Sequence, residues 1–317
     1  MDADHTAALV ADARQPLLGR HALITGGASG LGLGCARRFA RLGARITVAD
    51  INARAAVDVL AQLQRAGGAG HRFETLDLSA PANVADFARR LRDRGEPLHL
   101  LINNAGIYPP SRRSLSAQGN ELTFEIAVLG HFALTQLLWP LLDASPGARV
   151  ITISSLVQKT ARMDLDDLSL AHGYQPIRAY QQSKLGCLLL AVELQRRLTA
   201  AGSTVQSYAA HPGVCRTSLG ANRRIAAGDR WYQRASSRLL AFGMRYFGQS
   251  PEQAADAVLL AALPGALPAG SFVGPTGWLQ MAGRPGAVAL GPAARDPQLA
   301  AALWARCEQL TGLRWTL

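Results

Sequence analysis

The chain has 317 residues, of which 49% are hydrophobic and 17% charged. This composition supports a sizeable core and excludes disorder along the whole length. The formal net charge of +11 would suit a nucleic acid or an acidic partner. Because the Arg residues are scattered and no basic run reaches five, we predict no nucleic-acid partner. No stretch of about 18 uncharged apolar residues occurs, which argues against a membrane span.

The cysteine pattern and the N-terminus indicate the compartment. The chain has four cysteines, which are Cys35, Cys187, Cys215 and Cys307. They show neither metal-ligand spacing nor a CxxC pair, which is typical of a reducing compartment without a metal site. Residues 1–18 read as a short N-terminal arm that carries Asp2 and Asp4 where a secretory signal would be basic. We therefore expect a cytoplasmic protein with no bound metal.

From residue 19 onwards, strands and helices alternate. Apolar and β-branched runs predict strands at residues 21–25, 45–50, 72–76, 98–102, 149–153 and 204–210. Helical spacing predicts helices at residues 31–42, 81–94 and 179–200, and two further helices that end at residue 65 and near residue 142. Apolar strands separated by helices of ten or more residues indicate a parallel sheet covered on both faces. We predict an α/β, single-domain Rossmann fold over residues 19–317, a doubly wound parallel sheet that binds ligands at the carboxyl ends of its strands.

After Pro212 the alternation stops. Residues 218–247 are rich in Arg and aromatic residues, and they precede a predicted helix at 251–263, a strand at 271–273 and a helix at 297–310. The 218–247 segment is either an amphipathic helix packed on the core or a lid over a bulky, apolar or aromatic substrate. A helix that lies on an anionic lipid surface is a further alternative. Its Arg residues would also suit an acidic group or a carrier protein that holds the substrate. We predict a C-terminal substrate lid here.

The first predicted strand runs into a glycine-rich turn that opens a helix. Residues 25–32 read Thr-Gly-Gly-Ala-Ser-Gly-Leu-Gly. Glycines at such a turn let a pyrophosphate approach backbone N–H groups at the positive end of the helix. An ordinary strand-to-helix loop is the alternative, but the position at the start of the alternation favours a dinucleotide site. The residues predicted to line it are Gly26, Ser29, Gly30, Leu31 and Gly32.

Asp50 ends the second predicted strand, about 20 residues after the glycines. A carboxylate there accepts hydrogen bonds from both adenine ribose hydroxyls and repels a 2′-phosphate. Asp is also a common helix N-cap, and the two roles are compatible. We predict that Asp50 and Ile51 bind the adenosine side of the cofactor, and that this cofactor is NAD rather than NADP.

These motifs and three later ones together resemble the short-chain dehydrogenase/reductases over about residues 18–265. The later motifs are Asn-Asn-Ala-Gly at 103–106, Ser155, and Tyr180-x-x-x-Lys184. The Leu-Gly-His-Phe run at 129–132, the long 155–180 segment and the 211–217 segment are most similar to the retinol-dehydrogenase-like branch. The resemblance implies a nicotinamide cofactor, an alcohol or ketone substrate, and a homodimer or homotetramer built on the helices at 121–142 and 179–201.

The resemblance also implies further cofactor contacts. Asp77 and Leu78 would flank the adenine. Asn104, Ala105 and Gly106 would line the cofactor cleft. The nicotinamide side would be held by Pro212, Gly213, Cys215 and Thr217.

Tyr180, Lys184 and Ser155 form the predicted reacting centre. Reduction of a ketone leaves an alkoxide that needs a proton, and the reverse reaction needs a base. A phenol ionises only near about pH 10, so a fixed positive charge must lie beside it. Side chains four residues apart share a helix face, which places Lys184 beside Tyr180 and within reach of the nicotinamide ribose. Ser155 would hold the substrate oxygen.

Two alternatives concern these residues. Tyr180 and Lys184 could be an ordinary surface pair, but Lys184 is one of only two lysines in a chain that otherwise uses Arg. Arg is permanently charged and too bulky for this small donor role. Ser154 neighbours Ser155, and strand alternation lets only one of them face the site; the family spacing selects Ser155.

Ala127 departs from the family pattern. The resemblance implies an Asn at this position that helps to hold a water connecting the Lys to solvent, and Ala cannot do this. Either His131, Glu125 or another group reroutes the proton, or proton exchange slows, or the chain is a nucleotide-binding or regulatory protein with impaired catalysis. Dehydration or epimerisation on the same scaffold is a further alternative.

Overall fold

A computed structural model describes residues 15–215 and 249–316. Residues 1–14 of the predicted arm, Thr217 and the predicted lid at 218–247 lie outside the described residues. Within the described part of the arm, Leu17 is buried and its N–H donates to the Leu42 carbonyl at 3.0 Å.

The described chain forms one eight-stranded sheet in the order β3-β2-β1-β4-β5-β6-β7-β8. The strands are β1 His21–Thr25, β2 Arg45–Asp50, β3 Arg72–Thr75, β4 Leu100–Asn103, β5 Arg149–Ile153, β6 Gln206–Ala210, β7 Phe272–Pro275 and β8 Pro285–Ala287. Neighbours from β3 to β7 are parallel, whereas β8 pairs antiparallel with β7. The predicted α/β fold is confirmed. The antiparallel edge strand β8 was not expected, because Pro and Gly are depleted in strands.

Helices cover both faces of this sheet. They are α1 Gly30–Arg41, α2 Ala56–Ala66, α3 Pro81–Asp93, α4 Gly130–Leu137, α5 Trp139–Asp143, α6 Pro176–Ala200, α7 Pro251–Ala254, α8 Asp256–Ala262 and α9 Pro297–Thr311. Every residue of β1, β4 and β5 is buried. Alternation along β1 sends Leu23 into one apolar cluster and Ala22 and Ile24 into the cluster on the opposite face.

The long helix predicted to end near residue 142 is interrupted. A single helical turn, Leu122–Phe124, runs into a π-helix at Glu125–Leu129 before α4 begins. A second break at Leu138 separates α4 from α5, which carries Pro140 in its first turn. Pro lacks the backbone N–H that a continuous helix would need there. The π-helix contains Ala127, and such bulges occur frequently at functional sites.

The helix that carries Tyr180 and Lys184 is packed by the chain's own C-terminal helix. On α9, Leu303 and Trp304 are buried, and the Arg197 guanidinium of α6 lies 4.5 Å from the Trp304 ring centre. None of the helices in the described residues is long and apolar enough to cross a bilayer.

Candidate active site

The candidate site lies where the order of the strands in the sheet reverses. β1 is hydrogen-bonded to β2 on one side and to β4 on the other. The connections that follow β1 and β4 therefore run to opposite faces of the sheet. In open α/β sheets such a crossover leaves a crevice at the carboxyl ends of the strands, where ligands bind. Thr25, Asp50 and Asn103 end β1, β2 and β4.

The glycine turn after β1 is packed tightly enough to require its glycines. Gly26 has φ +63° and donates its N–H to the Ala49 carbonyl at 2.8 Å. A Cβ on Gly32 would lie 2.2 Å from the Gly26 oxygen, and one on Gly26 would lie 2.8 Å from Ala105 Cα. The backbone of the turn therefore packs directly against the loop after β4.

The N-terminus of α1 suits a phosphate. Ser29 caps this 12-residue helix with extended backbone, and its side chain makes no capping hydrogen bond. The first turn, which includes Gly30 and Leu31, carries no acidic residue. The first N–H groups of a helix have no partner within the helix and add to its positive end, so this cradle fits a pyrophosphate.

Thr25 connects the glycine turn to the loop after β4. Its Oγ1 accepts the N–H groups of Asn104 at 2.9 Å and Ala105 at 3.0 Å. Oγ1 also lies 2.8 Å from Nε2 of His131, whose Nδ1 is 3.0 Å from the Ala127 carbonyl. Because a carbonyl can only accept, Nδ1 carries the ring proton and Nε2 is an acceptor. The single proton of the Thr25 hydroxyl is shared between this Nε2 and the Ile102 carbonyl, 3.2 Å away. Burial lowers the pKa of His131 to about 4, so this ring is neutral at pH 7.

The side chain of Asn104 completes that connection. Its Nδ2 donates to the carbonyls of Thr25 at 2.8 Å and Gly26 at 3.2 Å. Gly106, two residues further on, lies opposite Lys184, since a Cβ there would be 3.7 Å from Nζ. The predicted cleft residues Asn104, Ala105 and Gly106 therefore lie between the glycine turn and the lysine.

Asp50 lies beside the glycine turn. Its Oδ2 accepts the Ala28 N–H at 3.0 Å and its Oδ1 accepts the Asn52 N–H at 2.9 Å. The N-cap of the short helix that follows is Asn52, so Asp50 is not the helix cap. Ile51 is 65% exposed next to it.

The loop after β3 supplies the next two predicted cofactor residues. The Asp77 carboxylate accepts the N–H of Ser79 at 2.9 Å and its hydroxyl at 2.6 Å, so this loop is held by its own hydrogen bonds. Leu78 is buried, and its carbonyl would lie 2.5 Å from a Cβ on Gly130. The Leu76 N–H donates to the Asp50 carbonyl at 3.1 Å, which places this loop beside the end of β2.

The segment after β6 forms the other side of the cleft. Gly213 has φ +68°, and a Cβ on it would lie 2.3 Å from the Met281 carbonyl. Cys215 is buried, and burial raises the pKa of its thiol to about 11, so it is not a reactive thiolate at pH 7. The Pro212 carbonyl accepts from the Gln249 amide at 3.1 Å.

The three residues of the predicted reacting centre come from the segment that follows β5 and from α6. Ser154 is buried and donates its hydroxyl to the Lys184 carbonyl at 2.7 Å. Ser155 has extended backbone, so its half-buried side chain lies on the opposite face from Ser154. Lys184 is buried and its Nζ donates to the Ile153 carbonyl at 3.0 Å. Tyr180 precedes Lys184 by four residues on α6 and is half-buried.

Two tyrosines that the sequence did not single out lie in the loops after β4 and before α6, and one of them, Tyr108, packs against Tyr180. The Tyr108 and Tyr180 ring centres are 5.4 Å apart. Tyr174 donates its hydroxyl to the Pro110 carbonyl at 2.8 Å, which joins the loop before α6 to the loop after β4. Burial, followed by nearby Glu121 and Tyr108, raises the pKa of Tyr174. No local signal marks these residues, because the loops that carry them meet only in the folded chain.

Ala127 lines a small internal cavity of about 30 Å³ behind the loop after β4. Asn103 Nδ2 donates to Thr135 Oγ1, which itself donates to the His131 carbonyl, so Oδ1 is the amide atom left for the cavity. Among the described residues this buried oxygen has no partner. The two groups that could replace the Asn in the proton route already have hydrogen-bond partners. His131 bonds Thr25 and the Ala127 carbonyl, and Glu125 accepts from Ser116 and Asn120.

We expect Ala127→Asn to raise the free energy of unfolding by about 1 kcal/mol, because the new amide would donate to Asn103 Oδ1 and relieve a buried unpaired acceptor. Urea unfolding measures the change. Ala127→Leu is the matched control, since it fills the cavity without a donor. Equal stabilisation by Leu and Asn would show that filling, rather than pairing, matters.

A sequence profile for short chain dehydrogenase matches residues 20–227. The chain belongs to the short-chain dehydrogenase family. This membership makes it an oxidoreductase of that family, and the family expected from the sequence is confirmed.

Two relatives of this short-chain dehydrogenase are named for polyprenol and for retinol. It is 38% identical over 310 residues to mouse polyprenol dehydrogenase, covering 95% of this chain and 88% of the mouse protein. It is 34% identical over 301 residues to human retinol dehydrogenase 13, covering 93% of this chain and 85% of the human protein. The similarity to the retinol-dehydrogenase-like branch is thereby confirmed.

Solved structures support the fold. A protein from Mycobacterium paratuberculosis of uncharacterised function has a TM-score of 0.73 and 36% identity, covering 97% of this chain and 98% of that one. Pseudomonas aeruginosa RhlG, solved with NADP, has a TM-score of 0.61 and 28% identity, covering 81% of this chain and 94% of that one.

Proposed function

We propose that this dehydrogenase uses NAD(H) to interconvert an alcohol and a ketone or aldehyde on a bulky, largely apolar substrate. The observation that carries the proposal is the position of Lys184. Its buried ammonium is held by the Ile153 carbonyl and faces Gly106, one helical turn from Tyr180. A buried lysine at the carboxyl ends of β4 and β5 supplies a positive charge where a phenol must exchange a proton.

Tyr180, Lys184 and Ser155 have different roles in proton transfer to and from the substrate oxygen. The bound nicotinamide would supply or accept the hydride. Tyr180 gives a proton to the developing alkoxide in reduction and takes it back in oxidation. Lys184 stabilises the phenolate, and the donors of its ammonium that Ile153 leaves free would bind the nicotinamide ribose of the cofactor. Ser155 donates to the same oxygen and orients it, since Ser154 is already bound to α6.

The remaining predicted contacts hold the cofactor. The pyrophosphate would lie against the N–H groups of the glycine turn, with Gly26, Ser29, Gly30, Leu31 and Gly32 around it. Asp77 and Leu78 would flank the adenine. The nicotinamide side would be contacted by Pro212, Gly213, Cys215 and Thr217.

Asp50 is proposed to make NAD the preferred coenzyme. We expect Asp50→Asn to raise the ratio of kcat/KM for NADP to kcat/KM for NAD by at least about tenfold, because the variant keeps the side-chain shape but removes the charge that repels a 2′-phosphate. Steady-state kinetics with both coenzymes measure this ratio. Asp58→Asn, an exposed acid on α2, is the control for net charge and should leave it unchanged. A wild-type preference for NADP would contradict the role given to Asp50.

The substrate proposal rests on the two relatives named for polyprenol and retinol and on the ring of Tyr108 beside Tyr180. A panel of secondary and long-chain primary alcohols with NAD, followed by absorbance of the reduced nicotinamide, tests it. Turnover that rises with the apolar size of the alcohol is the expected result. A preference for small polar alcohols would overturn the proposed substrate class.

Ala127 favours one alternative function, a nucleotide-binding or regulatory protein with impaired catalysis. Ala127 stands where the resemblance implies an Asn that holds the water of the proton route. His131 and Glu125 are hydrogen-bonded to other groups, so neither takes the place of that Asn. Tight NADH binding without turnover on the whole panel would support this alternative.

A homodimer or homotetramer built on the helices at 121–142 and 179–201 is the proposed assembly. Since α9 already covers part of α6, such pairing would have to use the faces of these helices that α9 leaves free. Light scattering coupled to size exclusion measures the mass directly, and a monomer would contradict the proposal.

A further inference from the structure

The loop between β7 and β8, residues 276–284, carries an unusual concentration of exposed apolar side chains. Trp278 is 81% exposed, Leu279 60% and Met281 36%. The other large exposed apolar residues of the described chain occur one at a time along the sequence. Single exposed apolar residues are ordinary, whereas a cluster marks a surface that meets something apolar.

The fold holds these side chains outward. Leu279 and Gln280 adopt φ +51° and +58°, a left-handed conformation that costs free energy for residues other than glycine. The loop is closed at its base by the Thr276 N–H, which donates to the Arg284 carbonyl at 2.8 Å. Within the loop the Gln280 N–H donates to the Gly277 carbonyl at 2.9 Å. The exposure of Trp278 and Leu279 is therefore built into the backbone.

The same loop borders the cleft. The Met281 carbonyl accepts the Val214 N–H at 2.8 Å and the Gln249 amide at 3.3 Å. Gly213 packs against that carbonyl so closely that a Cβ would lie 2.3 Å away. The loop is thus attached directly to the segment proposed to hold the nicotinamide side.

The loop also carries positive charge and no negative charge. Arg284 is exposed at its base. Residues 276–284 contain no acidic side chain, and the chain as a whole has a formal net charge of +11. Aromatic and apolar side chains beside basic residues match the chemistry of an anionic lipid surface, where Trp prefers the headgroup level and each nearby basic residue adds attraction.

We propose that the 276–284 loop docks on an anionic lipid bilayer, with Trp278 and Leu279 entering the headgroup region. This deepens the proposed function and rests on it for its purpose, since a water-insoluble alcohol dissolved in the bilayer would then meet the cleft directly. Docking itself requires neither cofactor nor turnover.

Co-sedimentation of the full chain with vesicles tests the proposal. We expect binding to phosphatidylcholine vesicles with about 30% phosphatidylglycerol to be at least about tenfold stronger than to pure phosphatidylcholine, and to weaken in about 0.5 M salt. The double variant Trp278→Ser/Leu279→Ser should lose at least about tenfold in partition coefficient. Val57→Ser is the matched control, because Val57 is 78% exposed on α2, away from the loop, and it should bind as the wild type does.

Each other outcome would overturn the proposal. Failure to bind anionic vesicles, or equal binding by the double variant, would exclude docking through this loop. A dimer that the double variant converts to a monomer, without vesicle binding, would show that the loop contacts a second copy instead. Turnover of a water-soluble alcohol, measured without vesicles, reports on the proposed function separately, so either can fail alone.

Discussion

Replacing Tyr180 with Phe is expected to lower kcat by about a hundred- to ten-thousandfold, the usual contribution of a positioned acid or base. The Phe ring keeps the packing against Tyr108, whose ring centre is 5.4 Å away, so only the hydroxyl is lost. Affinity for NADH should therefore stay within about threefold of wild type. Steady-state kinetics and NADH fluorescence titration measure the two quantities.

Tyr174→Phe is the matched control for that experiment. Tyr174 is half-buried in the loop before α6, and its hydroxyl donates to the Pro110 carbonyl. Loss of that structural hydrogen bond should cost about 1 kcal/mol of stability and leave kcat within a few-fold of wild type. Similar losses of kcat in both variants, or a Tyr180→Phe enzyme that keeps most of its turnover, would remove Tyr180 from the proposed mechanism.

The second large effect is expected from Gly32→Ala. The new Cβ would lie 2.2 Å from the Gly26 carbonyl and 2.6 Å from Asn104 Nδ2. Neither group can move freely, because Asn104 also donates to the Thr25 carbonyl. The turn and the loop after β4 must separate, at a cost of about 1–3 kcal/mol in the free energy of unfolding. We also expect NADH affinity to fall by at least about a hundredfold, since the backbone cradle is displaced.

Thermal unfolding and NADH titration check this prediction together. Gly202→Ala is the control, because Gly202 has φ +66° but nothing lies within 4 Å of a Cβ placed there. The Gly202→Ala variant should lose about 1 kcal/mol of its free energy of unfolding through backbone strain and should bind NADH as the wild type does. A Gly32→Ala chain that binds NADH as tightly as wild type would contradict the proposed pyrophosphate site.

Much of the sheet could be predicted because its strands carry their own signal. β1, β2 and β5 begin and end where their apolar runs do. β8 could not be predicted, since Pro285–Ala287 has no strand propensity and pairs only because β7 presents an open edge. The interruption of the helix at Glu125–Leu129 was also missed, because apolar spacing does not distinguish a π-turn from an α-turn.

The candidate site could likewise be predicted only in part. The spacing of Tyr180 and Lys184 placed them one helical turn apart, as the structure has them. The partner of Lys184, the Ile153 carbonyl, lies 31 residues away in sequence and has no side-chain signature. The chain of hydrogen bonds from Ala127 through His131 to Thr25 was likewise out of reach, because it joins an interrupted helix to β1 across the core.

Transfer of deuterium tests the central claim most directly. The purified chain is incubated with an apolar ketone and NADH that is deuterated at both C4 positions of the nicotinamide, and the product is analysed by mass spectrometry. We predict one deuterium on the carbinol carbon for each NADH oxidised, and formation of this product at least about a hundredfold more slowly with Tyr180→Phe. NADH binding without deuterium transfer to any ketone of a broad apolar panel would contradict the proposed oxidoreductase.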